Sequence, residues 1–220
     1  MSGIIIAIDG YSGTGKSSTA KAVAKHFGYK YLDSGAMYRS VALACIQKGI
    51  DIKNEEQVDA VANNIEIGFN EKESVFIDGI EITNQIRSMA VNNAVSVVSQ
   101  YKGVREAMVK QQRQLSKNQG VVMDGRDIGT VVFPNADLKI FMTASPKVRA
   151  MRRQQELAQN GVNEELSNIL KNLLDRDQMD SNRQESPLVK ADEAYEIDTS
   201  DIEFEEQVFK IIELAEKRIV

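Results

Sequence analysis

The stretch Ile4-Ile5-Ile6-Ala7-Ile8-Asp9-Gly10-Tyr11-Ser12-Gly13-Thr14-Gly15-Lys16-Ser17 decides the fold. Ile4 to Ile8 is a short apolar run rich in β-branched residues, the mark of a strand buried on both faces. Gly10 to Ser17 then satisfies G-x-x-x-x-G-K-[ST] in full. Beyond it Ala20, Val23, Ala24 and Phe27 recur at helical spacing, and Gly28 supplies a stop. Strand, glycine loop and helix in that order are the context in which this motif holds phosphate. Glycines let backbone N–H groups turn inward around phosphate oxygens, and the helix start adds the positive end of its dipole. Gly10, Tyr11, Ser12, Gly13, Thr14, Gly15, Lys16, Ser17 and Ser18 are therefore the expected cradle of ATP. Lys16 brings a point charge to the β- and γ-phosphates, and the Ser17 hydroxyl is placed to ligate Mg2+. The loop names the phosphate donor and leaves the acceptor open.

Working outward, apolar β-branched runs alternate with segments of helical period. The runs are Ile4 to Ile8, Tyr29 to Leu32, Val121 to Met123, Leu138 to Met142 and Ala194 to Ile197. This is the pattern of an α/β fold, a doubly wound parallel sheet with helices on both faces. A last helix carries Phe204, Val208, Ile211, Ile212 and Ala215 on one stripe, expected to dock on the sheet. The rhythm breaks between about residues 49 and 100. Ile65 to Phe69 reads as a strand, and Val75 to Ile82 as a hairpin turning on Asp78-Gly79, so a small antiparallel sheet is expected in an insertion. A second polar segment, about 155–185, has helical period around Leu166, Ile169, Leu170, Leu173 and Leu174 and reads as a helical lid.

The composition fits. The chain has 220 residues, 27 Lys+Arg against 32 Asp+Glu, and a formal charge of −5. With roughly 150 residues per domain as a guide, one domain with embedded insertions is expected, over residues 1–220. The acidic balance argues against a nucleic-acid or anionic-membrane binder, and a monomer is expected. Cys45 is the single cysteine and no Cys/His spacing suits zinc, which fits a reducing compartment. The Ile4 to Ile8 run is too short for a bilayer span or a signal core, so the expected location is cytoplasmic.

The acceptor must be sought among the arginines. Three groups pair them with carboxylates or hydroxyls: Asp33-Ser34-Gly35-Ala36-Met37-Tyr38-Arg39, Asp124-Gly125-Arg126-Asp127, and Arg176 with Asp180 and Arg183. The first two follow the second and third strands, and strand ends converge on one crevice in a doubly wound sheet. Arg149 and Arg153 fall on one helix face, a spacing that suits a cluster neutralising a transferred phosphoryl group and equally a basic surface helix.

Taken together, these segments resemble the bacterial cytidylate kinases. The resemblance rests on the phosphate loop, Leu32-Asp33-Ser34-Gly35-Ala36-Met37-Tyr38-Arg39, Val104-Arg105-Glu106-Ala107, Asp124-Gly125-Arg126-Asp127-Ile128-Gly129-Thr130-Val131-Val132-Phe133-Pro134, and Arg176-Asp177 with Asp180, Ser181 and Arg183. It runs from about Ile4 to Ile212. It implies a P-loop NTPase core of five strands in the order 2-3-1-4-5, an acceptor-binding insertion and a short lid. It further implies transfer of the ATP γ-phosphoryl group to CMP, with dCMP as a second acceptor. Ser34, Arg39, Arg126 and Arg183 match the residues that hold the acceptor's phosphate. Ser96, Arg105 and Asp127 match those that read cytosine, and Arg176 and Asp180 those that contact sugar and phosphates.

The chemistry agrees with that placement. Cytosine offers an amine donor beside two acceptors, which Arg105, Ser96 and Asp127 complement. Uracil would set a carbonyl against Asp127 and leave a buried carboxylate unpaired. A nucleoside monophosphate is already ionised at neutral pH, its second phosphate pKa being about 6. No general base is needed, and catalysis reduces to positioning and charge neutralisation by Lys16, Mg2+, Arg126, Arg149, Arg153, Arg176 and Arg183. The insertion and the lid are expected to close over both nucleotides and exclude water. Tyr11 stands where a proline is common, and Ser17-Ser18 where Gly-Thr is common, yet every required hydroxyl is present. Two other readings share the loop: a kinase of another nucleotide or small metabolite, and a regulatory P-loop ATPase, for which no water-positioning residue is evident.

Overall fold

The computed structural model describes residues 3–117, 119–159 and 161–219. Five parallel strands form the central sheet: β1 (Ile5–Gly10), β2 (Lys30–Asp33), β6 (Val121–Gly125), β7 (Leu138–Thr143) and β8 (Tyr195–Asp198). Their spatial order is β2-β6-β1-β7-β8. In terms of the five core strands this is the 2-3-1-4-5 order that the resemblance implied. β1 is central, pairing Ile5 with Val121 through Asp9 with Gly125 on one side, and Ile6 with Leu138 through Gly10 with Met142 on the other. Ile6, Ile8, Val122, Leu138, Ile140 and Met142 are almost wholly buried, which is why these strands read as unbroken apolar runs.

The chain leaves β1 toward β2 and later crosses to β7, so the sheet reverses direction at the C-terminal end of β1. Open α/β sheets bind ligands at such a point. Helix α1 (Lys16–Phe27) starts there and ends at Gly28, whose φ of 65° closes the helix with N–H bonds back to Ala24 and Lys25. On the same face as α1, α8 (Phe204–Glu216) buries Ile211 and Ala215. Phe204, expected on the buried stripe, is 42% exposed, as the first residue of α8.

The opposite face carries α2 (Ser34–Gln47), then α3 (Glu55–Asn64), β3 (Ile67–Phe69), β4 (Val75–Ile77), β5 (Ile80–Glu81), α4 (Met89–Val98) and α5 (Lys102–Leu115). β3, β4 and β5 form the small antiparallel sheet, with Asp78 at φ 49° and Gly79 at φ 80° as the two turn residues. The strand expected over Ile65 to Phe69 begins only at Ile67, since Ile65 closes α3. One continuous apolar cluster runs from Val41 of α2 through Val58, Ile67, Ile77, Val91 and Val98 to Met108 of α5. Segment 49–100 therefore shares a core with the helices that flank it. Its turn between β3 and β4 reaches α1, where Glu73 pairs with Lys21 at 2.5 Å.

Helices α6 (Pro146–Gln159) and α7 (Leu166–Asn182) form a hairpin over the C-terminal ends of the strands. Ala150, Ile169 and Leu173 make its small core, while Leu174 faces solvent. Residue 160, inside the expected 155–185 lid, lies outside the described residues. Among the described residues no helix is long and apolar enough to cross a membrane.

Candidate active site

The glycine loop is held open by backbone conformation. Gly10, Gly13 and Gly15 take φ values of 142°, 77° and 88°, a region that side chains disfavour. A Cβ on Gly10 would collide with the Met142 carbonyl, so β7 itself demands glycine there. Lys16 curls under the loop, buried, and its Nζ donates to the Tyr11 carbonyl, with Thr14 Oγ1 at 3.5 Å. Burial, then the nearby Arg126, pushes its ammonium well below the usual lysine range, while Asp124 and Asp9 pull the other way. Ser17 donates to Asp124 Oδ2 at 2.7 Å, and Tyr31 donates to Asp124 Oδ1 at 2.7 Å. Burial and then Asp33 raise the Asp124 carboxyl above its ordinary value. Ser18 is exposed beside them.

Beside the loop lies a chain of ion pairs built from the C-terminal ends of β2 and β6 and from α5 and α7. Arg126 Nε meets Asp180 Oδ2 at 2.8 Å, and Asp180 Oδ1 lies 3.8 Å from Arg183. Arg183 lies 3.6 Å from Asp127 Oδ1, and Arg105 donates to Asp127 Oδ2. Arg105 also donates to the Ser99 carbonyl at 3.0 Å and sits 5.3 Å from the Tyr38 ring centroid. Arg39 donates to Asp33 Oδ2 at 2.9 Å, while Asp33 Oδ1 caps α2 through the Ala36 N–H. Ser34 donates to the Asp124 carbonyl at 2.6 Å.

The Arg176 side chain makes no hydrogen bond or ion pair among the described residues. Burial, then Arg126, with Arg153 and Arg39 also contributing, lowers its guanidinium pKa against the pull of Asp180. With three other guanidiniums acting on it and only Asp180 opposing them, Arg176 marks a place where an anion is favoured. Four buried polar atoms here also have no hydrogen-bond partner among the described residues: Tyr38 Oη, Arg39 Nε, Arg105 Nε and Arg183 Nη2. Leaving such groups unpaired costs about 1–3 kcal/mol each, which a polyanionic ligand would relieve.

The remaining candidates are placed differently from one another. Arg149 is buried under the loop, donating to Ser12 O at 3.2 Å, Ala144 O at 3.0 Å and Asp177 Oδ2 at 2.6 Å, and it faces the Tyr11 ring. Arg153, one turn on, is half-exposed and pairs with Glu156 at 2.7 Å. Ser96 is half-buried on α4, where its carbonyl, not its hydroxyl, is engaged, by Ser99 and Gln100. Asp124 and Asp177 stand in the segments quoted from sequence without a role assigned to them, and Tyr31 only in a strand run. Asp124 was open to notice, since it lies near the C-terminal end of the strand paired with β1, on the side of the sheet edge where the glycine loop begins.

The cytidylate kinase family model matches residues 6–217. The chain belongs to the cytidylate kinase family. Curated cytidylate kinases include one from Cytophaga hutchinsonii, 50% identical, covering 100% of this chain and 96% of that one. Another from Bacillus cereus is 46% identical, covering 96% of this chain and 95% of its own. A solved structure of an uncharacterized protein from Eubacterium ventriosum shares the fold at 13% identity, with a TM-score of 0.52 and coverage of 97% and 98%. The partly buried ion-pair chain from Arg126 to Arg105 falls on the segments that carried the resemblance.

Proposed function

We propose that the chain transfers the γ-phosphoryl group of ATP to CMP, and to dCMP, giving ADP and the cytidine diphosphate. The observation that carries this reading is the cluster of Arg39, Arg105, Arg126 and Arg183 beside the glycine loop, in which the buried Tyr38 Oη, Arg39 Nε and Arg105 Nε have no hydrogen-bond partner among the described residues. Membership of the cytidylate kinase family supports the same acceptor.

In this reading residues 10–18 hold ATP. Ser34, Arg39, Arg126 and Arg183 hold the acceptor phosphate. Arg105 and Asp127 read the cytosine edge with Ser96, and Asp180 and Arg176 contact sugar and phosphates. Arg153 adds charge from the lid, and Arg149 keeps the loop shaped through Ser12. The acceptor oxygen is ionised at neutral pH, so the barrier is the approach of two anions. Lys16 and the arginines lower it by standing where negative charge gathers.

The donor set suits a magnesium ion. Ser17 Oγ and the Asp124 carboxylate are hard oxygens side by side, and among the described residues no cluster of three or more His, Cys, Asp or Glu forms a dedicated cage. Bound with nucleotide phosphates, the ion would neutralise part of their charge. Ser17 would ligate it, and Asp124, steadied by Tyr31, would orient Ser17 and its water ligands.

The acceptor is tested by coupled ADP release across CMP, dCMP, UMP, AMP and shikimate. CMP and dCMP should give kcat/KM values at least about 10²-fold above UMP, because uracil sets a carbonyl oxygen against the Asp127 carboxylate where cytosine donates its amine. Equal turnover of UMP would remove the reading, and release without any acceptor would favour an ATPase.

A further inference from the structure

Asp9 is a carboxylate that the phosphate-loop motif does not ask for. It is the penultimate residue of β1, immediately before Gly10, and is buried. Its Oδ1 accepts the Ile128 N–H at 2.8 Å and its Oδ2 accepts the Gly129 N–H at 2.7 Å. Those two amides open a π-helical turn, Ile128–Val132, that follows directly on Asp127. The Asp127 carbonyl takes the Val131 and Val132 N–H groups at 2.9 and 3.2 Å, so Asp127 is fixed to the same turn. Its carboxylate in turn carries Arg105 and Arg183.

The arrangement works against burial. Desolvation raises Asp9 to about 7 despite the two amide bonds that favour its charged form. A carboxylate kept there matches two adjacent N–H groups with two acceptors, which no neutral side chain of that size does. The loop that would hold ATP and the residue that would read cytosine thus hang on one side chain, with Gly10 on its covalent side and Asp127 beyond its hydrogen bonds.

Resting on the reading of Asp127 as a cytosine contact, we propose that Asp9 is a positioning residue that sets Asp127 against the donor loop. Asparagine in its place keeps one acceptor and turns an N–H toward the other amide, so the turn must shift while the packing volume stays.

The test is steady-state kinetics of Asp9→Asn, Asp127→Asn and the double variant. Asp9→Asn is expected to raise the KM for CMP about tenfold or more, to leave the KM for ATP within about twofold, and to cut the CMP-over-UMP ratio about tenfold. The double variant should be no worse toward CMP than Asp127→Asn alone, because both changes remove one function. Equal rises for CMP and ATP, or effects that multiply, would overturn the proposal. If Asp9→Asn does not fold, the unaltered protein decides by amide NMR. The Ile128 and Gly129 protons should lie downfield, resist exchange, and shift when an ATP analogue binds without CMP. Unprotected or unresponsive amides would overturn it. Failure of the underlying reading looks different, since the unaltered enzyme would then show no preference for cytosine.

Discussion

Lys16→Ala is expected to lower kcat by about 10²- to 10³-fold with every acceptor, the usual loss when one preorganised donor to developing charge is removed. The reason lies in where Lys16 is held. Its ammonium is buried, bonded to the Tyr11 carbonyl, and pushed down by burial and by Arg126. A cation stored in that setting gains most when anionic phosphates arrive, and gains more as charge builds in transfer. Loss should therefore fall on kcat more than on either KM. Coupled ADP release at saturating ATP and CMP measures it. A kcat within about twofold of the unaltered enzyme would mean that Lys16 does not face the transferring group.

Arg105→Met is expected to raise the KM for CMP by about 10- to 100-fold, matching the roughly 1.5–3 kcal/mol of a hydrogen bond to a charged group, with the KM for ATP within twofold. Arg105 and Asp127 are almost wholly buried, and with the guanidinium gone Asp127 keeps only Arg183, 3.6 Å away. Breaking a buried pair costs about 3–5 kcal/mol of stability, less here because Arg183 remains, so the denaturation midpoint should fall as well. Kinetics against both substrates, read beside an unfolding curve, separate the two effects. Equal rises in both KM values would point to general damage and away from base reading.

Much of the fold was legible because its causes are local. The apolar run at residues 4–8, the motif at 10–17 and the Gly28 stop lie within thirty residues, and the Asp78-Gly79 turn needs only its own two φ angles. The parts that were not legible depend on distant partners. α4 spans Met-Ala-Val-Asn-Asn-Ala-Val-Ser-Val-Val, a sequence with poor helix propensity, and it is helical because Val91, Ala94 and Val98 pack in the core shared with α2. Ile128 to Val132 has strand-like composition and instead forms a π-helical turn, held by Asp9 from across the chain.

The candidate site divides in the same way. The motif residues were visible as types at fixed spacing, and the arginine groups as clusters. Their partners were not, because ion pairs such as Arg126–Asp180 and Arg149–Asp177 join residues 54 and 28 apart. Arg149 and Arg153 share a helix face in sequence, yet one is buried beneath the loop and the other reaches solvent. Helical spacing specifies a face and leaves depth to the neighbouring α7. The net charge of −5 likewise masked the basic crevice, since carboxylates pair most of its arginines and Arg176 alone among them stands unpaired within the described residues.

The central claim is that the crevice beside the glycine loop binds CMP through those arginines, and a crystal structure with CMP and a non-hydrolysable ATP analogue tests it most directly. The account predicts the CMP phosphate among Arg39, Arg126, Arg176 and Arg183, the cytosine edge on Arg105 and Asp127, and the α6–α7 hairpin closed over both nucleotides. A CMP bound elsewhere, or bound here with its base turned away from Asp127, would contradict it.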